Sequence, residues 1–260
     1  YRLGGKVVAR LFGDYQLREV RDYYFSGATQ LASTVYDSQR DLTRYTLSPE
    51  VDFLLSPRTS FSATYTYGKY LRDETRVFVS DGRVVPQAPW REWNQEVKLT
   101  GRHNWSAFGR EHPLQGGYEY RNEKLQRGSL SGTGENCTAF STTPGSSQCS
   151  RAINVLWGQQ ELSLTSRLTV TAGVRYDSYS DFGDQWSPKA EVVFALAPEH
   201  RLRGSYGHGF RPPYFGELYL SQPPFFVGNP DLVPEVSDGF TSGYTFAGKA
   251  ARFSVDGYYS

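Results

Sequence analysis

Long runs of this sequence alternate apolar and polar residues, which is the period-two pattern of a β-strand with two different faces. The alternation is cleanest over residues 168–177. One face there carries Leu168, Val170, Ala172, Val174 and Tyr176, and the other carries Thr169, Thr171, Arg175 and Asp177. This pattern predicts strands that are apolar on one side and polar on the other.

Eleven segments of this kind follow one another, at residues 6–17, 42–55, 60–71, 93–105, 114–121, 155–164, 168–177, 186–196, 201–210, 236–246 and 251–259. The weakest is 155–164, because Gln160 falls among its apolar positions. Soluble strands usually have about five or six residues, whereas a membrane-crossing strand needs roughly 9–11. The predicted fold class is therefore all-β, a transmembrane antiparallel up-and-down β-barrel represented in part. A soluble β-sandwich or β-solenoid is the alternative.

The connections between these segments alternate between short and long. Short ones fall near Ser56, Ser106, Thr165, Ala197 and Ala247, and long ones follow Leu17, Leu71, Leu125, Tyr179 and Phe210. Bacterial outer-membrane barrels have short periplasmic turns and long extracellular loops, so the odd-numbered strands are expected to run outward. In the long connection 72–92, Asp81-Gly82 lies between β-branched residues. This dipeptide predicts a type I′ hairpin on a ribbon that projects beyond the membrane.

The two faces of the predicted strands differ in chemistry. The face expected to meet lipid carries Val7, Leu47, Phe53, Tyr65, Leu99, Tyr118, Val170, Val174, Val192, Phe194, Tyr206, Phe240, Phe253 and Val255. The face expected to line the lumen carries Arg44, Glu50, Asp52, Glu96, Lys98, Arg102, Glu119, Arg121, Arg175, Lys189, Glu191, Arg201, Arg203, Arg252 and Asp256. Such charges are typical of a solvated inner wall, and equally of a surface onto which a plug domain docks. Trp93 and Trp105 share the apolar face at opposite ends of one strand, as two aromatic girdles require.

Composition is compatible with a membrane barrel. The chain has 260 residues, no Met and a net charge of +1, and this balance argues against a surface dedicated to nucleic acid. It contains no run of about eighteen apolar residues that would form a transmembrane helix. A mean hydropathy of −0.55 fits a membrane barrel, since only every second residue of each strand faces lipid. Because the sequence starts at Tyr1 rather than at Met, it is expected to be an internal fragment.

Few residues in the sequence indicate a catalytic or metal-binding site. The histidines His103, His112, His200 and His208 have no second histidine at metal-ligand spacing. The sequence also lacks the HExxH, CxxC and Gly-x-Ser-x-Gly patterns. We therefore expect no catalytic residue, no metal site and no cofactor. Since some outer-membrane barrels are phospholipases or proteases, a barrel enzyme stays an alternative.

The most specific signal is the stretch 206–235, where one strand ends at Pro212-Pro213 and a capped turn leads into the next at Val236. Its two blocks resemble the barrel signature of TonB-dependent outer-membrane receptors, Phe-Arg-Ala-Pro-Thr-x-x-Glu-Leu-Tyr followed by Gly-Asn-Pro-x-Leu-x-Pro-Glu. The first block is matched by Phe210, Arg211, Pro213, Glu217, Leu218 and Tyr219, and the second by Gly228, Asn229, Pro230, Leu232, Pro234 and Glu235. Pro212 replaces the small residue of the pattern, and Tyr214 replaces the Thr.

The resemblance implies that residues 1–260 are a fragment of the β-barrel domain of such a receptor, which has about 22 strands. The plug domain and the C-terminal strands would be absent from it. The implied protein lies in the outer membrane of a Gram-negative bacterium and is a transporter, not an enzyme. It would bind a scarce nutrient chelate, a siderophore or cobalamin, at its extracellular loops and import it with TonB energy.

The same resemblance implies the partners. They are the small-molecule chelate, the TonB complex acting through the plug, and outer-membrane lipid, with no nucleic acid, and the full-length protein is expected to be a monomer. A passive porin is the alternative to an active receptor, since its inner wall would carry similar charges.

Two roles are open for the signature residues. In a rim clamp, Arg211 or Glu217 would satisfy carbonyl and amide groups where the chain crosses the barrel rim. In a ligand site, Arg211, Tyr214 and Tyr219 would face the vestibule and contact the chelate. Residues 215–219 are expected to form one helical turn between the two blocks.

The two cysteines, Cys137 and Cys149, lie in one segment rich in Ser, Thr and Gly. They would close a loop of about a dozen residues in an oxidising compartment. We therefore expect a disulfide between them.

Overall fold

The computed structural model of this chain describes residues 2–3, 6–23, 36–87, 89–127, 137–139, 147–219, 221–222 and 226–260. In chain order its strands are β1 (Arg2–Leu3), β2 (Val7–Tyr23), β3 (Tyr36–Ser56), β4 (Thr59–Phe78), β5 (Val84–Pro86), β6 (Trp90–Ala107), β7 (Arg110–Arg127), β8 (Cys137–Ala139), β9 (Ser147–Ser163), β10 (Leu168–Tyr179), β11 (Gly183–Ala197), β12 (His200–Arg211), β13 (Ser221–Gln222), β14 (Phe226–Val227), β15 (Glu235–Ala247) and β16 (Arg252–Tyr259). A short helix, α1 (Phe215–Tyr219), follows β12. In the part of the chain described, no helix has the length and apolar character needed to cross a membrane.

The strands form one antiparallel sheet whose order follows the chain, β1-β2-β3-β4-β6-β7-β9-β10-β11-β12-β15-β16. Strand β5 pairs with β4, β8 pairs with β9, and β13 and β14 pair with each other apart from this sheet. The eleven predicted strands correspond to β2, β3, β4, β6, β7, β9, β10, β11, β12, β15 and β16. The sheet does not close on itself. The predicted up-and-down barrel wall, present in part, is therefore confirmed.

Strands β2, β3 and β4 extend further than the alternation predicts, with 17, 21 and 20 residues. Residues 18–23 and 36–41, predicted as parts of a long polar connection, are instead paired in strands. The alternation disappears there because both faces of the ribbon are polar, while the backbone ladder continues. Residues 24–35 lie outside the described part of the chain.

The hairpin predicted at Asp81-Gly82 forms, but the predicted turn type is wrong. Gly82 N donates to Phe78 O at 2.9 Å, and Gly82 has a φ of 66° whereas Asp81 is not among the residues with positive φ. A type I′ turn needs positive φ at two consecutive residues, whereas this loop contains a single left-handed glycine, Gly82, followed by Arg83. Two consecutive positive φ values occur at Phe108 (52°) and Gly109 (70°), in the short turn between β6 and β7.

The strand register places all the residues predicted to face lipid on one face of the sheet, called the outer face below. Directly opposed partners share a face, as Leu99 and Tyr118 do, and as Tyr206 and Phe240 do. Large apolar side chains along this face stay exposed, with Leu99 47% and Phe240 51% exposed. A contiguous exposed apolar surface of this kind is what contact with lipid requires.

The opposite, inner face is crossed by ion pairs between strands. Glu119 of β7 is 5% exposed and receives Lys98 Nζ at 3.1 Å and Arg175 Nη1 at 3.2 Å. Further along the sheet, Arg203 Nη2 lies 2.6 Å from Asp256 Oδ1. These pairs place opposite charges of neighbouring strands side by side on the inner face.

Gln160, which weakens the alternation of β9, is on the outer face near the short turns and has partners there. Trp105 Nε1 donates to Gln160 Oε1 at 3.1 Å, and Gln160 Nε2 donates to Pro113 O at 3.0 Å. The buried ring of His112 lies 4.6 Å from that of Trp105. The amide is therefore tolerated on an apolar face because its polar atoms are satisfied.

A small buried cluster forms on the inner face at the end where the long connections lie. It consists of Leu125, Cys149, Phe215, Leu218 and Tyr219, with Trp90 packed against it. Helix α1 contributes its three buried side chains to this cluster. This packing holds the signature stretch against the inner wall.

Candidate functional site at the barrel rim

The signature stretch begins where β12 ends at Arg211 and the chain turns onto the inner face. Pro212 and Pro213 have no backbone N–H groups, so the ladder with β15 stops there. Helix α1 then starts with Leu218 N donating to Tyr214 O at 3.2 Å. Glu217 Oε2 accepts from Tyr214 N at 2.7 Å, which is the reciprocal half of a capping box. The predicted helical turn at residues 215–219 is confirmed.

Arg211 binds two carboxylates from different elements. Its Nε and Nη2 donate to Glu235 of β15 at 3.1 and 2.7 Å. Its Nη1 and Nη2 donate to Glu217 of α1 at 3.1 Å. The guanidinium therefore joins the end of β12, the start of β15 and the helix between them.

These contacts change the protonation equilibria of the rim residues. The hydrogen bond from Arg211 is the main cause that lowers the pKa of Glu235 below its ordinary 4.5. For Glu217, the backbone hydrogen bond from Tyr214 comes first and Arg211 second, and the pKa of Glu217 is lowered too. The hydrogen bonds to Glu235 and Glu217 raise the pKa of Arg211. All three groups are thus charged at neutral pH.

Gly228, the first residue of the second block, packs directly against helix α1. A Cβ at Gly228 would lie 2.6 Å from Leu218 O and 2.7 Å from the carbonyl carbon of Leu218. The next residue, Asn229, donates its backbone N–H to Glu217 O at 2.9 Å. The second block therefore caps the helix, and a glycine is required for that approach.

The rest of the second block forms the turn that leads into β15. Asn229 Oδ1 accepts from Asp231 N at 3.0 Å, an Asx-type turn across Pro230. Leu232 N donates to Asn229 O at 3.3 Å. Pro234 directly precedes the first residue of β15, where a missing N–H costs no ladder bond.

Arg151, which sequence reasoning missed, holds the crossing segment most directly. Its side chain is 4% exposed, its Nε donates to Asp181 Oδ2 at 2.7 Å, and its Nη2 donates to Pro213 O at 2.9 Å. The guanidinium also lies 4.8 Å from the ring of Phe215. Arg151, and not Arg211 or Glu217, thus donates to the carbonyl of Pro213 in the crossing segment. Glu217 accepts a hydrogen bond from a backbone amide of that segment, the N–H of Tyr214, as expected for a clamp. No local motif surrounds Arg151 in the sequence, so only its three-dimensional neighbours reveal it.

Tyr214 and Tyr219 have different environments. Tyr219 is 5% exposed inside the buried cluster, whereas Tyr214 is 45% exposed. The hydroxyl of Tyr214 donates to Glu92 Oε1 at 3.2 Å. Burial, and then Glu92, raise the pKa of Tyr214, so its hydroxyl stays protonated. Phe210 contacts the ring of Tyr179 edge-on at 5.8 Å.

Two arginine side chains lie close to the ring of Trp90, beside Tyr214. The guanidinium of Arg127 lies 4.2 Å from the ring of Trp90 and that of Arg72 lies 5.8 Å from it. Trp90 Nε1 donates to Glu92 Oε1 at 2.5 Å. In the described part of the chain Arg127 has no carboxylate within ion-pair distance. Burial, and then the charge of Arg72, lower the pKa of Arg127.

Below α1 the inner face forms a concavity of about 810 Å³. Its lining includes Arg18, Arg44, Tyr70, Glu92, Tyr214 and Phe215. Aromatic rings and guanidinium groups therefore border one space large enough for a small molecule. Among the described residues there is no group of three or more His, Cys, Asp and Glu side chains that would hold a metal ion.

The two cysteines are opposite each other in the ladder between β8 and β9. Cys149 is disulfide-bonded and fully buried. This register agrees with the disulfide expected between Cys137 and Cys149.

Comparison with known proteins identifies a family whose model matches nearly the whole chain. The family model described as "TonB dependent receptor-like, beta-barrel" matches residues 4–260. A protein named hemin receptor from Yersinia pestis is 31% identical over 120 residues, which cover 38% of this chain and 17% of the relative.

Solved structures show the same fold at low identity. The siderophore receptor PirA from Acinetobacter baumannii has a TM-score of 0.57 and 13% identity, with coverage of 96% of this chain and 47% of that one. The ferric-catecholate import receptor Fiu from E. coli K12 has a TM-score of 0.61 and 11% identity, with coverage of 80% and 39%. The chain thus spans less than half the length of each of these proteins.

Proposed function

This chain belongs to the TonB-dependent receptor β-barrel family, whose model matches residues 4–260, and we propose from this that it forms part of the wall of an outer-membrane receptor. The receptor binds a scarce nutrient chelate at its extracellular side and imports it with TonB energy. The family match is the observation that carries this proposal. Family members and the structural neighbours are outer-membrane β-barrels of Gram-negative bacteria and transport receptors rather than enzymes.

On this proposal, a closed barrel needs strands beyond those of the open sheet. Unpaired backbone groups at a sheet edge each cost several kcal/mol in hydrocarbon. The strands that complete the barrel would therefore come from chain outside these 260 residues. The resemblance to TonB-dependent receptors implies that a plug domain would lie there as well. The long connections, the rim clamp and helix α1 would lie at the extracellular end.

We further propose that the chelate is an anionic ferric complex. Arg127 is a partly buried guanidinium stacked on Trp90, beside Arg72. No carboxylate lies within ion-pair distance of Arg127 among the described residues, although the charge of Glu74 acts on it from further away. An anionic ligand would offset the cost of burying part of this guanidinium. A ferric catecholate or haemin carries the required negative charge, whereas cobalamin has no comparable net charge. The names of the similar proteins, hemin receptor and siderophore receptor, are compatible with this class.

Binding to the full-length receptor tests the proposal. Substituting Arg127→Ala should weaken binding of a ferric catecholate by about 1.5–3 kcal/mol, the usual worth of a hydrogen bond to a charged group, or roughly 10- to 150-fold in Kd. Arg110→Ala, on the same strand at the short-turn end, is the matched control and should change nothing. Quenching of tryptophan fluorescence during titration measures both.

Three results would contradict the proposal. If Arg110→Ala lowered the affinity for the ferric catecholate as much as Arg127→Ala does, the proposed contact between Arg127 and the chelate would be wrong. Binding of cobalamin, with no binding of a ferric catecholate or haemin, would exclude the ferric class. Uptake that persists without TonB would favour the passive porin.

A further inference from the structure

Three neighbouring strands place a row of two lysines and a tryptophan across the outer face. Lys69 of β4 is directly opposite Trp93 of β6, and Trp93 is directly opposite Lys124 of β7. The Nζ of Lys69 lies 5.3 Å from the ring centroid of Trp93. Two lysine positions therefore flank Trp93 in the ladder on the apolar face, and the ammonium group of Lys69 lies over its ring.

Neither lysine has a carboxylate within ion-pair distance among the residues that the structure describes. One outward-facing position further along β6 the situation differs, because Arg91 forms an ion pair with Asp73 at 2.5 Å. Charged side chains on a lipid-facing surface are unfavourable except near the interfaces. Near a membrane interface the two ammonium groups are therefore placed to attract an anion.

A cleft beside this row has the shape and the donors to hold such an anion. It has a volume of about 290 Å³ and is lined by Tyr67, Trp93, Gln95, Asn122, Lys124 and Gln148. All of these residues point outward by strand register. Its polar lining consists of amide groups, the Tyr67 hydroxyl, the indole N–H of Trp93 and an ammonium group, all of which can donate hydrogen bonds to phosphate oxygens.

The height of the row matches a headgroup region. Trp93 and Trp105 are twelve residues apart on β6, which corresponds to about 30 Å of height at roughly 3.3 Å per residue and a tilt near 40°. The apolar band of a barrel is about 25 Å tall. Trp105 is near the short turns, so Trp93 and both lysines lie at the extracellular edge of the band, next to the headgroups.

We propose that the row Lys69–Trp93–Lys124 and its cleft bind the phosphorylated headgroup of a lipopolysaccharide molecule in the outer leaflet. The proposal rests on the membrane orientation given above. Basic clusters at membrane interfaces attract anionic headgroups. The ring of Trp93 lies at the interface between the acyl chains and the headgroup, which indole side chains favour.

Native mass spectrometry of the full-length receptor in detergent, titrated with bisphosphorylated lipid A, tests this binding. The double variant Lys69→Gln/Lys124→Gln should lower the affinity for lipid A by at least about ten-fold. Lys69→Arg/Lys124→Arg should retain it. The matched control is Lys6→Gln/Lys249→Gln, which removes two exposed lysines at the short-turn end and should have no effect.

A second measurement needs no variant: the wild-type receptor should bind dephosphorylated lipid A far less tightly. Equal binding of the two lipids, or an equal loss in the Lys6/Lys249 control, would overturn the proposal. Binding of the ferric chelate by the Lys69/Lys124 variants is measured in parallel and should be unchanged. If the receptor binds no ferric chelate but still prefers phosphorylated lipid A, the proposed function is contradicted and the lipid proposal is not.

Discussion

Gly228 and the carbonyl of Leu218 are in such close contact that a Cβ at Gly228 would lie 2.6 Å from the Leu218 oxygen. Gly228→Ala must therefore displace helix α1 or the turn after it. Because the obstructing atoms are backbone, we expect a loss of about 1–3 kcal/mol in the free energy of unfolding, as for other overpacked sites. Urea titration of the full-length receptor measures it. Gly207→Ala is the control, since a Cβ at Gly207 would meet nothing within 4 Å, and an equal loss there would contradict the explanation.

Arg211 is expected to act as a clamp between strands and helix rather than as a ligand contact. Exposed ion pairs contribute little individually, but here one guanidinium holds two carboxylates from different elements. Arg211→Ala should lower the amount of folded receptor at the cell surface and leave the Kd per folded molecule unchanged. Surface labelling and ligand titration measure the two quantities.

Arg201→Ala is the control for the clamp, since Arg201 is on the same strand. It should leave surface abundance unchanged. Normal abundance of the Arg211 variant combined with weaker binding would show that Arg211 contacts ligand.

The rim clamp should weaken in acid. The folded-state pKa values of Glu217 and Glu235 lie below their ordinary 4.5, so their stabilisation is present above that pH. It is lost as the pH falls through the lowered values, when both carboxylates become protonated. Hydrogen exchange of α1, corrected for the intrinsic rate, should accelerate in this range. Glu217→Gln should reduce this acid dependence, and an unchanged profile would exclude Glu217 as its source.

A charged side chain in the middle of a strand should be unfavourable on the outer face. Val174 is opposite Gly158 and Pro188 on that face, near the middle of β10. Val174→Arg should cost about 2–4 kcal/mol in folding into bilayers. Thr171→Arg is the control, because Thr171 is on the inner face opposite Glu161 and Glu191 and arginine should be accepted there. Equal costs for both variants would refute the assignment of faces.

The disulfide between Cys137 and Cys149 is expected to stabilise the loop that it closes. A loop of about a dozen residues gives roughly 2–3 kcal/mol in the chain-entropy model. Alkylation of the unfolded, unreduced protein followed by mass spectrometry should add no alkyl group. Two added groups would show free thiols.

The sequence by itself determined which segments are strands, which face of each is apolar and which family signature they carry. Alternation with period two is a local property, and a register error of one residue would turn Val170 and every residue like it to the wrong face. The prediction failed where that signal is absent. In residues 18–23 and 36–41 both faces are polar, so pairing there depends on the continuing ladder and not on alternation.

The tertiary structure alone decided how the rim is assembled. Arg151 reaches Pro213 across 62 residues and Tyr214 reaches Glu92 across 122 residues, and no local pattern marks either contact. The signature located Arg211, Glu217 and Gly228 in the sequence, but their roles depend on how closely α1 approaches the turn after it. Such contacts arise from the packing of segments that are distant along the chain, because only folding brings their charges, rings and carbonyl groups within bonding distance.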